Sequence, residues 1–335
     1  MHNREGYSLR LDPWDVDYGS QVPVDPPEML DAGDRVDTTV EVAGPFVPIA
    51  PREAPMPPTM VFVDGVRRID ARVLVERTGA PEPHEDFREG WSHGLFGSFA
   101  VGSAVVTSSG RASWGASQVG RILATGGGLA WGEVVSLSSG TAYRPVAAAG
   151  TDPDAPLRAF QAEMRSAEAT VARTAAPGGA LIVVDGPLTF DSPTGAPVLG
   201  FVKRIHELYV GREARVLRRL ALHERSPLFA LRASNRFARL SWFVRIGTPR
   251  RGESELTGLV RVEVSERVGV EEARRLADLS AHVLPRLVPT RARDPRAPQN
   301  LVPIGALEHH LRRSLGDGRL TRRHIQTLLS GGIAA

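Results

Sequence analysis

The chain contains no cysteine, only one lysine and no long hydrophobic run. The lack of cysteine excludes disulfides, thiolate metal sites and cysteine nucleophiles, so any metal would be bound by carboxylates, imidazole or water. No segment approaches the ~20 apolar residues that span a bilayer. The N-terminus also lacks the basic-then-apolar pattern of a signal peptide. We therefore expect a cytoplasmic protein without a membrane anchor.

The composition is that of a globular protein with an unevenly distributed charge. Hydrophobic residues make up 42% and charged residues 24% of the 335 positions, and the formal net charge is only +3. Residues 1–58 are rich in Asp, Glu and Pro and show little periodicity, which predicts an extended arm that wraps the domain or contacts a partner. Residues 59–335 are predicted to form the folded domain.

Arginines are concentrated in two segments, 203–251 and 286–323. Two interpretations are open: solvated helix faces, or a groove that follows the phosphates of a nucleic acid. The first segment contains Arg204, Arg212, Arg215, Arg218, Arg219, Arg225, Arg232, Arg236, Arg239, Arg245, Arg250 and Arg251, and the second contains Arg286, Arg291, Arg293, Arg296, Arg312, Arg313, Arg319, Arg322 and Arg323.

Two short apolar runs each lead into an aspartate followed by a glycine. The first is Val61-Phe62-Val63-Asp64-Gly65, and the second is Leu181-Ile182-Val183-Val184-Asp185-Gly186. Such a pattern predicts a buried strand that ends where its carboxylate emerges. Two such strand ends can converge on one divalent cation, although aspartate before glycine is also common in Asx turns. Lys203, the only lysine, follows the second aspartate closely.

A β-meander and a helix are predicted between the two aspartates. Strands are expected at 71–76, 94–106, 119–124 and 133–137, after the strand that ends at Asp64. The helix begins near Pro156 with Asp154 as its cap, and it is predicted to pack beside the strand of Asp185. Its apolar face also carries Glu168, which must be paired, protonated or bound to a metal if it is buried. A glutamate at the edge of the face that reaches water or an arginine is the alternative.

The second half of the chain is predicted to add helices and strands to the same α/β domain, a mixed central sheet flanked by helices. The expected helices lie near 211–223, 270–284, 303–315 and 321–329, and the expected strands lie near 239–247 and 259–264.

Carboxylates from a meander strand, a following helix and a later strand match an RNase H-like arrangement. In that arrangement the acids bind one or two hard cations, which activate a water molecule and neutralise charge on a phosphodiester. Oxygen ligands favour Mg²⁺ or Mn²⁺, and an added imidazole favours Mn²⁺. A nearby lysine can stabilise the phosphate or the leaving oxygen.

The order of these motifs over roughly residues 60–315 resembles the NurA nuclease family. The resemblance implies an RNase H-like core, Mn²⁺-dependent nuclease activity on DNA, a homodimer, and a HerA-type hexameric ATPase as the partner in DNA end resection, repair or defence. It depends on Val-Asp64-Gly, Glu168, Val-Val-Asp185-Gly-Pro-Leu, Gly-Phe-Val-Lys203-Arg, and the segment from Asp294-Pro-Arg through Pro298-Gln-Asn-Leu-Val-Pro303 to Glu-His-His310.

The resemblance assigns roles to particular residues. By position, Asp64, Glu168 and Asp185 are the metal-binding acids, and Lys203 matches the family lysine. The C-terminal histidine of the family falls on His310, or on His309 if the helix register differs by one; an adjacent pair of histidines on a surface helix is the plain alternative. Glu133 competes as the third acid.

Two departures from the family pattern bear on activity. Arginines follow the first Asp-Gly motif where family members often have a small hydroxyl residue, and Trp242 and Phe243 stand where the family has an active-site tyrosine. The second departure leaves open a non-enzymatic alternative, a nuclease-fold subunit that binds DNA and docks on the ATPase without cleaving.

Overall fold

The computed structural model describes residues 1, 6–12, 35–77, 91–175, 179–190, 197–205, 207–232 and 237–330. Within these residues the chain forms a large mixed sheet flanked by helices. None of the described helices is long and apolar enough to cross a membrane.

The described secondary structure consists of twelve strands and five α-helices. The strands are β1 (Tyr7–Leu11), β2 (Arg35–Asp37), β3 (Thr59–Arg77), β4 (Trp91–Thr107), β5 (Ala112–Thr125), β6 (Val135–Ser136), β7 (Ala142–Ala147), β8 (Leu181–Asp185), β9 (Val198–Val202), β10 (Phe229–Arg232), β11 (Arg239–Arg245) and β12 (Leu259–Ser265). The helices are α1 (Ala155–Thr174), α2 (Ala214–Leu217), α3 (Val270–Val283), α4 (Val302–Ser314) and α5 (Gly318–Ser330).

The sheet combines an antiparallel and a parallel part that meet at β3. The strand order is β2-β10-β11-β12-β9-β8-β3-β4-β5-β7-β6, and β1 pairs with the second half of β3. On one side, β3, β4 and β5 form the predicted antiparallel meander. On the other side, β8 is parallel to the first half of β3, and β9 is parallel to β8. Beyond β9, the strands β12, β11, β10 and β2 follow in antiparallel order. Beyond β5, β7 is parallel to β5 and β6 is antiparallel to β7.

The first predicted strand boundary is wrong, because β3 continues through Asp64 rather than ending there. The long partner strand β4 supplies antiparallel neighbours along nearly the whole of β3, and it places Gly102 opposite Asp64. The turn expected before residue 71 is instead a bulge between Ile69 and Ala71. A bulge bends a strand without ending its pairing.

The described parts of the N-terminal segment belong to the sheet. β1 pairs with β3 between residues 73 and 77, and β2 pairs with β10. Phe46 is buried beside Phe229 and Phe243 in one of the hydrophobic clusters. Leu9 of β1 is buried in another cluster. The predicted extended arm therefore contributes two strands and these two core side chains to the domain, and its residues 2–5 and 13–34 lie outside the described part.

Helices cover both faces of the central strands. Along β3, Val61 and Val63 face α1, whereas Phe62 and Val66 belong to the core beneath α3 and α4. α1 contacts mainly β4, β5 and β3, although Ile182 of β8 shares its cluster. The predicted packing beside the strand of Asp185 is thus indirect.

Two local predictions about the helices need correction. Asp154 occupies the N-cap position of α1, but its side chain makes no capping hydrogen bond. The helix predicted near 211–223 is reduced to a 3₁₀ turn and the four residues of α2. Arg245 supplies a physical reason, because its guanidinium donates to the carbonyls of Leu217 and Leu220 and so satisfies groups that a longer helix would use.

Candidate functional site

Asp185 and Lys203 form an ion pair at the ends of two neighbouring parallel strands. Asp185 is the last residue of β8, and Lys203 directly follows β9. The Lys203 Nζ lies 2.7 Å from Asp185 Oδ2, and the two side chains are 23% and 15% exposed. This pair is accessible enough to meet a substrate and buried enough to hold its geometry.

Asp64 lies beside this pair on the next strand. β3 and β8 are parallel, and the register that pairs Val63 with Val184 places Asp64 next to Asp185. Asp64 is only 7% exposed, and its Oδ1 accepts a 2.7 Å hydrogen bond from the backbone N–H of Gly65. The two aspartates predicted to converge therefore do lie on adjacent strands.

The environment of Asp64 strongly disfavours its ionised form. Burial is the main cause that raises the pKa of Asp64 well above its usual value, and the negative charges of Asp185 and Glu168 raise it further. Lys203 opposes the shift with its positive charge. Two further carboxyl groups thus act on the buried carboxyl of Asp64, and a divalent cation bound beside it would offset their negative charge.

Glu168 approaches the site from α1, across Gly65. A Cβ placed on Gly65 would collide with Oε1 of Glu168, with the carboxyl carbon only 3.2 Å away. Glycine at this position therefore allows the carboxylate to approach the backbone of β3 next to Asp64. Its negative charge also raises the pKa of Asp64. That Glu168 joins the two aspartates in one metal site stays a prediction.

A polar network that we did not predict supports Lys203 from the C-terminal segment. Asn300 Oδ1 accepts a 3.3 Å hydrogen bond from Lys203 Nζ, and Asn300 Nδ2 donates to Asp294 Oδ2 at 2.8 Å. Arg296 bridges Asp294 to Glu308 of α4, with its Nη1 2.6 Å from Glu308 Oε2. The network connects the lysine to the helix that covers the site.

Glu308 is the acid of α4 that faces the site. Burial raises the pKa of Glu308, but hydrogen bonds from Arg296 and Arg312 outweigh it, and the charge of Lys203 also contributes to a net lowering. Its neighbour Asp294 is held ionised more strongly. There the hydrogen bonds from Arg296 and Asn300 overcome burial and lower the pKa to about 2.

His310 lies on the other side of α4. Two residues correspond to a rotation of about 200° around a helix, so His310 is directed away from Glu308 and towards β5. Its ring stacks on Trp114 of β5 with centroids 4.4 Å apart and an interplanar angle of 14°. His309 is exposed. Neither histidine is among the charges that shift Asp64.

The described side chains, as they stand, contain no group of three or more His, Cys, Asp or Glu arranged to bind a metal. The chemistry of Asp64, Glu168 and Asp185 nevertheless fits a hard divalent cation, since all three offer carboxylate oxygens. Their mutual electrostatic effect also shows that they lie near one another. Glu133, the competing acid, is exposed just before β6, at the far end of the sheet.

Several of the clustered arginines are structural, which corrects the interpretation of that segment as one phosphate-binding groove. Arg225, Arg239 and Arg245 are at most 3% exposed. Arg225 pairs with Glu41 and Asp278, and Arg239 pairs with Glu263. Buried guanidinium groups paired in this way are not available to a nucleic acid.

The aromatic residues that replace the family tyrosine are core residues. Trp242 and Phe243 are fully buried, and Trp242 Nε1 donates a 2.9 Å hydrogen bond to Ser280. Glu263, fully buried near Phe243, accepts a 2.6 Å hydrogen bond from the backbone N–H of Leu188. This bond fixes the segment that follows Asp185, although nothing in the local sequence of Glu263 indicates it.

The sequence matches no protein-family model, and no curated protein matches it.

Proposed function

We propose that the protein is a metal-dependent deoxyribonuclease with an RNase H-like core. The observation that carries this proposal is the position of Asp64 beside the Asp185–Lys203 ion pair, at the junction of the antiparallel and parallel strands. Glu168 is close enough for its charge to raise the pKa of Asp64, and all three carboxyl groups offer hard oxygen donors. A divalent cation there would bring a phosphodiester and a water molecule together.

The order of the central strands supports the RNase H-like assignment. A three-stranded antiparallel meander, β3-β4-β5, precedes a helix, and the chain then returns to place β8 parallel to β3. The three acids come from the first meander strand, from the helix and from the returning strand. This is the distribution expected if such a core binds metal at one site.

In the proposed reaction, Asp64, Asp185 and Glu168 would hold Mn²⁺ or Mg²⁺, which supplies charge neutralisation and an activated water molecule. Lys203 would stabilise negative charge on the phosphate or on the leaving oxygen. Asn300 would orient the ammonium group through its hydrogen bond. His310 is not included as a ligand, because its ring stacks on Trp114.

The remaining elements of the proposal follow from the NurA resemblance. They are a homodimer, a cytoplasmic location and a HerA-type hexameric ATPase that delivers DNA ends during resection, repair or defence. Co-purification of the protein with such an ATPase, and loss of processive degradation without it, would test the partnership.

The activity is tested with purified protein, Mn²⁺ and labelled single- and double-stranded DNA. We expect Asp185→Asn to reduce degradation by at least about 100-fold, because a metal ligand contributes several kcal/mol of transition-state stabilisation. Glu133→Gln is the matched control, an exposed acid remote from the site, and it should retain full activity. Equal degradation by the wild type and Asp185→Asn would reject the nuclease proposal.

A second candidate function is a DNA-binding subunit that does not cleave. Two observations favour it: Lys203 already neutralises Asp185 at 2.7 Å, and the three acids do not form a ready-made metal centre. This candidate predicts salt-dependent DNA binding without Mn²⁺ uptake. A calorimetric Mn²⁺ titration in which binding requires Asp185 would eliminate it.

A further inference from the structure

Trp114 is an exposed aromatic residue on the same sheet face as the acid cluster. Phe62 of β3, Ala104 of β4 and Trp114 of β5 lie opposite one another in register. Directly opposed residues share a face of the sheet. Asp64 follows Phe62 by two residues on β3 and therefore lies on that face as well. Trp114 is nevertheless 49% exposed, whereas Phe62 is fully buried.

His310 holds the indole of Trp114 in place. The two rings are nearly parallel, with centroids 4.4 Å apart, so the imidazole covers one face of the indole while about half of the residue remains exposed. Since His310 is on α4, which packs on β3 and β4, the indole is fixed relative to the core. An aromatic ring that is already immobilised loses little conformational entropy on stacking with a ligand.

The edge of β5 around Trp114 is exposed, and residues 112–118 carry no charge. β7 pairs with β5 only from residue 122 onwards, and residues 112–118 are all exposed. Within the described residues, no strand pairs with the outer edge of this part of β5. A polymer could therefore approach the indole from the side.

A positive charge lies on the side of α4 that carries His310. Arg313 is exposed and follows His310 by three residues, which places it on that side of the helix. Arg312 is instead paired with Glu308, and no ion pair of Arg313 is found among the described residues. An exposed indole, with a guanidinium on the helix side that carries its stacking partner, is suited to a base and its phosphate.

We infer that Trp114, supported by His310, is a stacking platform for an unpaired base of single-stranded DNA that enters the site. In a duplex the bases are stacked on each other and their faces are not accessible, so the platform favours single strands or frayed ends. The inference rests on the proposed function for the identity of its substrate. Its test, however, measures binding without metal or cleavage.

The test is fluorescence anisotropy of the full-length protein with a labelled oligothymidylate and with an abasic strand of equal length, in EDTA. Stacking of one base is worth about 1–3 kcal/mol, so Trp114→Ala should weaken oligothymidylate binding by about 5- to 150-fold. Binding of the abasic strand should be unchanged. Trp114→Phe should restore most of the affinity, because it retains a π-face.

Trp91→Ala is the matched control. Trp91 is 37% exposed at the start of β4 and is also in contact with a histidine, His93, but edge-on at 84°. Its removal should leave oligothymidylate binding unchanged. Equal affinity of Trp114→Ala and the wild type would overturn the inference, as would an equal loss on the abasic strand or in Trp91→Ala.

The outcomes separate this inference from the nuclease proposal. If Trp114→Ala specifically loses base-dependent binding but the wild type never cleaves DNA, the platform stands and the nuclease proposal fails. If the wild type cleaves but Trp114→Ala binds oligothymidylate normally, the platform is rejected and the nuclease proposal stands.

Discussion

Two buried aspartates on β3 have opposite environments. Asp70 is 2% exposed, and its carboxylate accepts hydrogen bonds from Arg68 Nε at 2.7 Å, from Tyr143 Oη at 2.9 Å and from Ser98 Oγ. Asp64, six residues earlier, is 7% exposed and has two other carboxyl groups as electrostatic neighbours. Donors hold the Asp70 carboxylate, whereas burial first, and then the neighbouring acids, disfavour the ionised form of Asp64.

The difference separates a structural carboxylate from a candidate functional one. A buried charge that serves the fold is surrounded by donors and opposite charges, because burial otherwise costs several kcal/mol. The same holds for Glu41, whose carboxylate is bound by both terminal nitrogens of Arg225 at 2.9 Å. Asp64 keeps an unfavourable arrangement, which is typical of a site that binds a cation or performs chemistry.

The largest expected effect is at Asp70. Asp70→Ala would leave the buried hydroxyl of Tyr143 and the Nε–H of Arg68 without their acceptor, and should lower the free energy of unfolding by about 3–5 kcal/mol. Chemical denaturation would measure it. Loss of less than ~1 kcal/mol would show that Asp70 is not the well-compensated member of the pair.

Asp64→Asn should stabilise the protein in the absence of divalent ions, whereas Asp70→Ala destabilises it. The amide removes the charge that burial and the neighbouring acids disfavour, so the melting temperature should rise by a few degrees. Differential scanning calorimetry in EDTA would test this. In saturating Mn²⁺ the order should reverse, because the wild type alone gains the binding free energy of the ion. A variant that is less stable than wild type in EDTA would contradict the comparison.

The pH dependence of stability should also differ between the wild type and Asp64→Asn. Since the folded pKa of Asp64 is raised above its usual 3.8, the folded state binds more protons than the unfolded state between these two pKa values. The contribution of Asp64 to stability therefore falls as pH rises through that window. The slope of unfolding free energy against pH above 4 should be more positive in Asp64→Asn than in the wild type. Identical slopes would contradict the raised pKa.

A smaller effect on stability, but a specific one on activity, is expected for Gly65→Ala. The added methyl group would displace the Glu168 carboxylate, the flexible end of a side chain, and would also lie 3.0 Å from Cγ1 of the buried Val101. We expect a loss of about 1 kcal/mol in the free energy of unfolding and a roughly 10-fold or greater loss of Mn²⁺-dependent activity. Gly44→Ala is the control, because a Cβ there meets nothing within 4 Å. Full activity in Gly65→Ala would remove Glu168 from the site.

The sequence predicted the local features that have strong periodicity or punctuation. The apolar run before Asp185 is a strand, Glu168 is in a helix beginning near Pro156, and Lys203 is beside Asp185. Local patterns suffice here because each depends on neighbours in the chain. The position of Asp64 inside β3 does not depend on chain neighbours alone, because pairing with a separate strand, β4, extends β3 past this residue.

Long-range polar contacts account for what the sequence did not reveal. The buried roles of Arg225 and Arg239 depend on acids at positions 41 and 263, and a guanidinium that will be buried has the same local signature as an exposed one. The network from Lys203 to Glu308 spans more than 100 residues of sequence. Positions 308 and 310 are about 200° apart around a helix. This rotation indicates from the sequence that Glu308 and His310 cannot both face the same site.

Binding of Mn²⁺ to the wild type and to Asp64→Asn, measured by isothermal titration calorimetry, tests the central claim most directly. The account predicts saturable binding to the wild type, with protons released as Asp64 ionises, and no detectable binding to the variant. Equal heats and affinities for the two proteins, or no binding to either, would contradict a metal site built around Asp64.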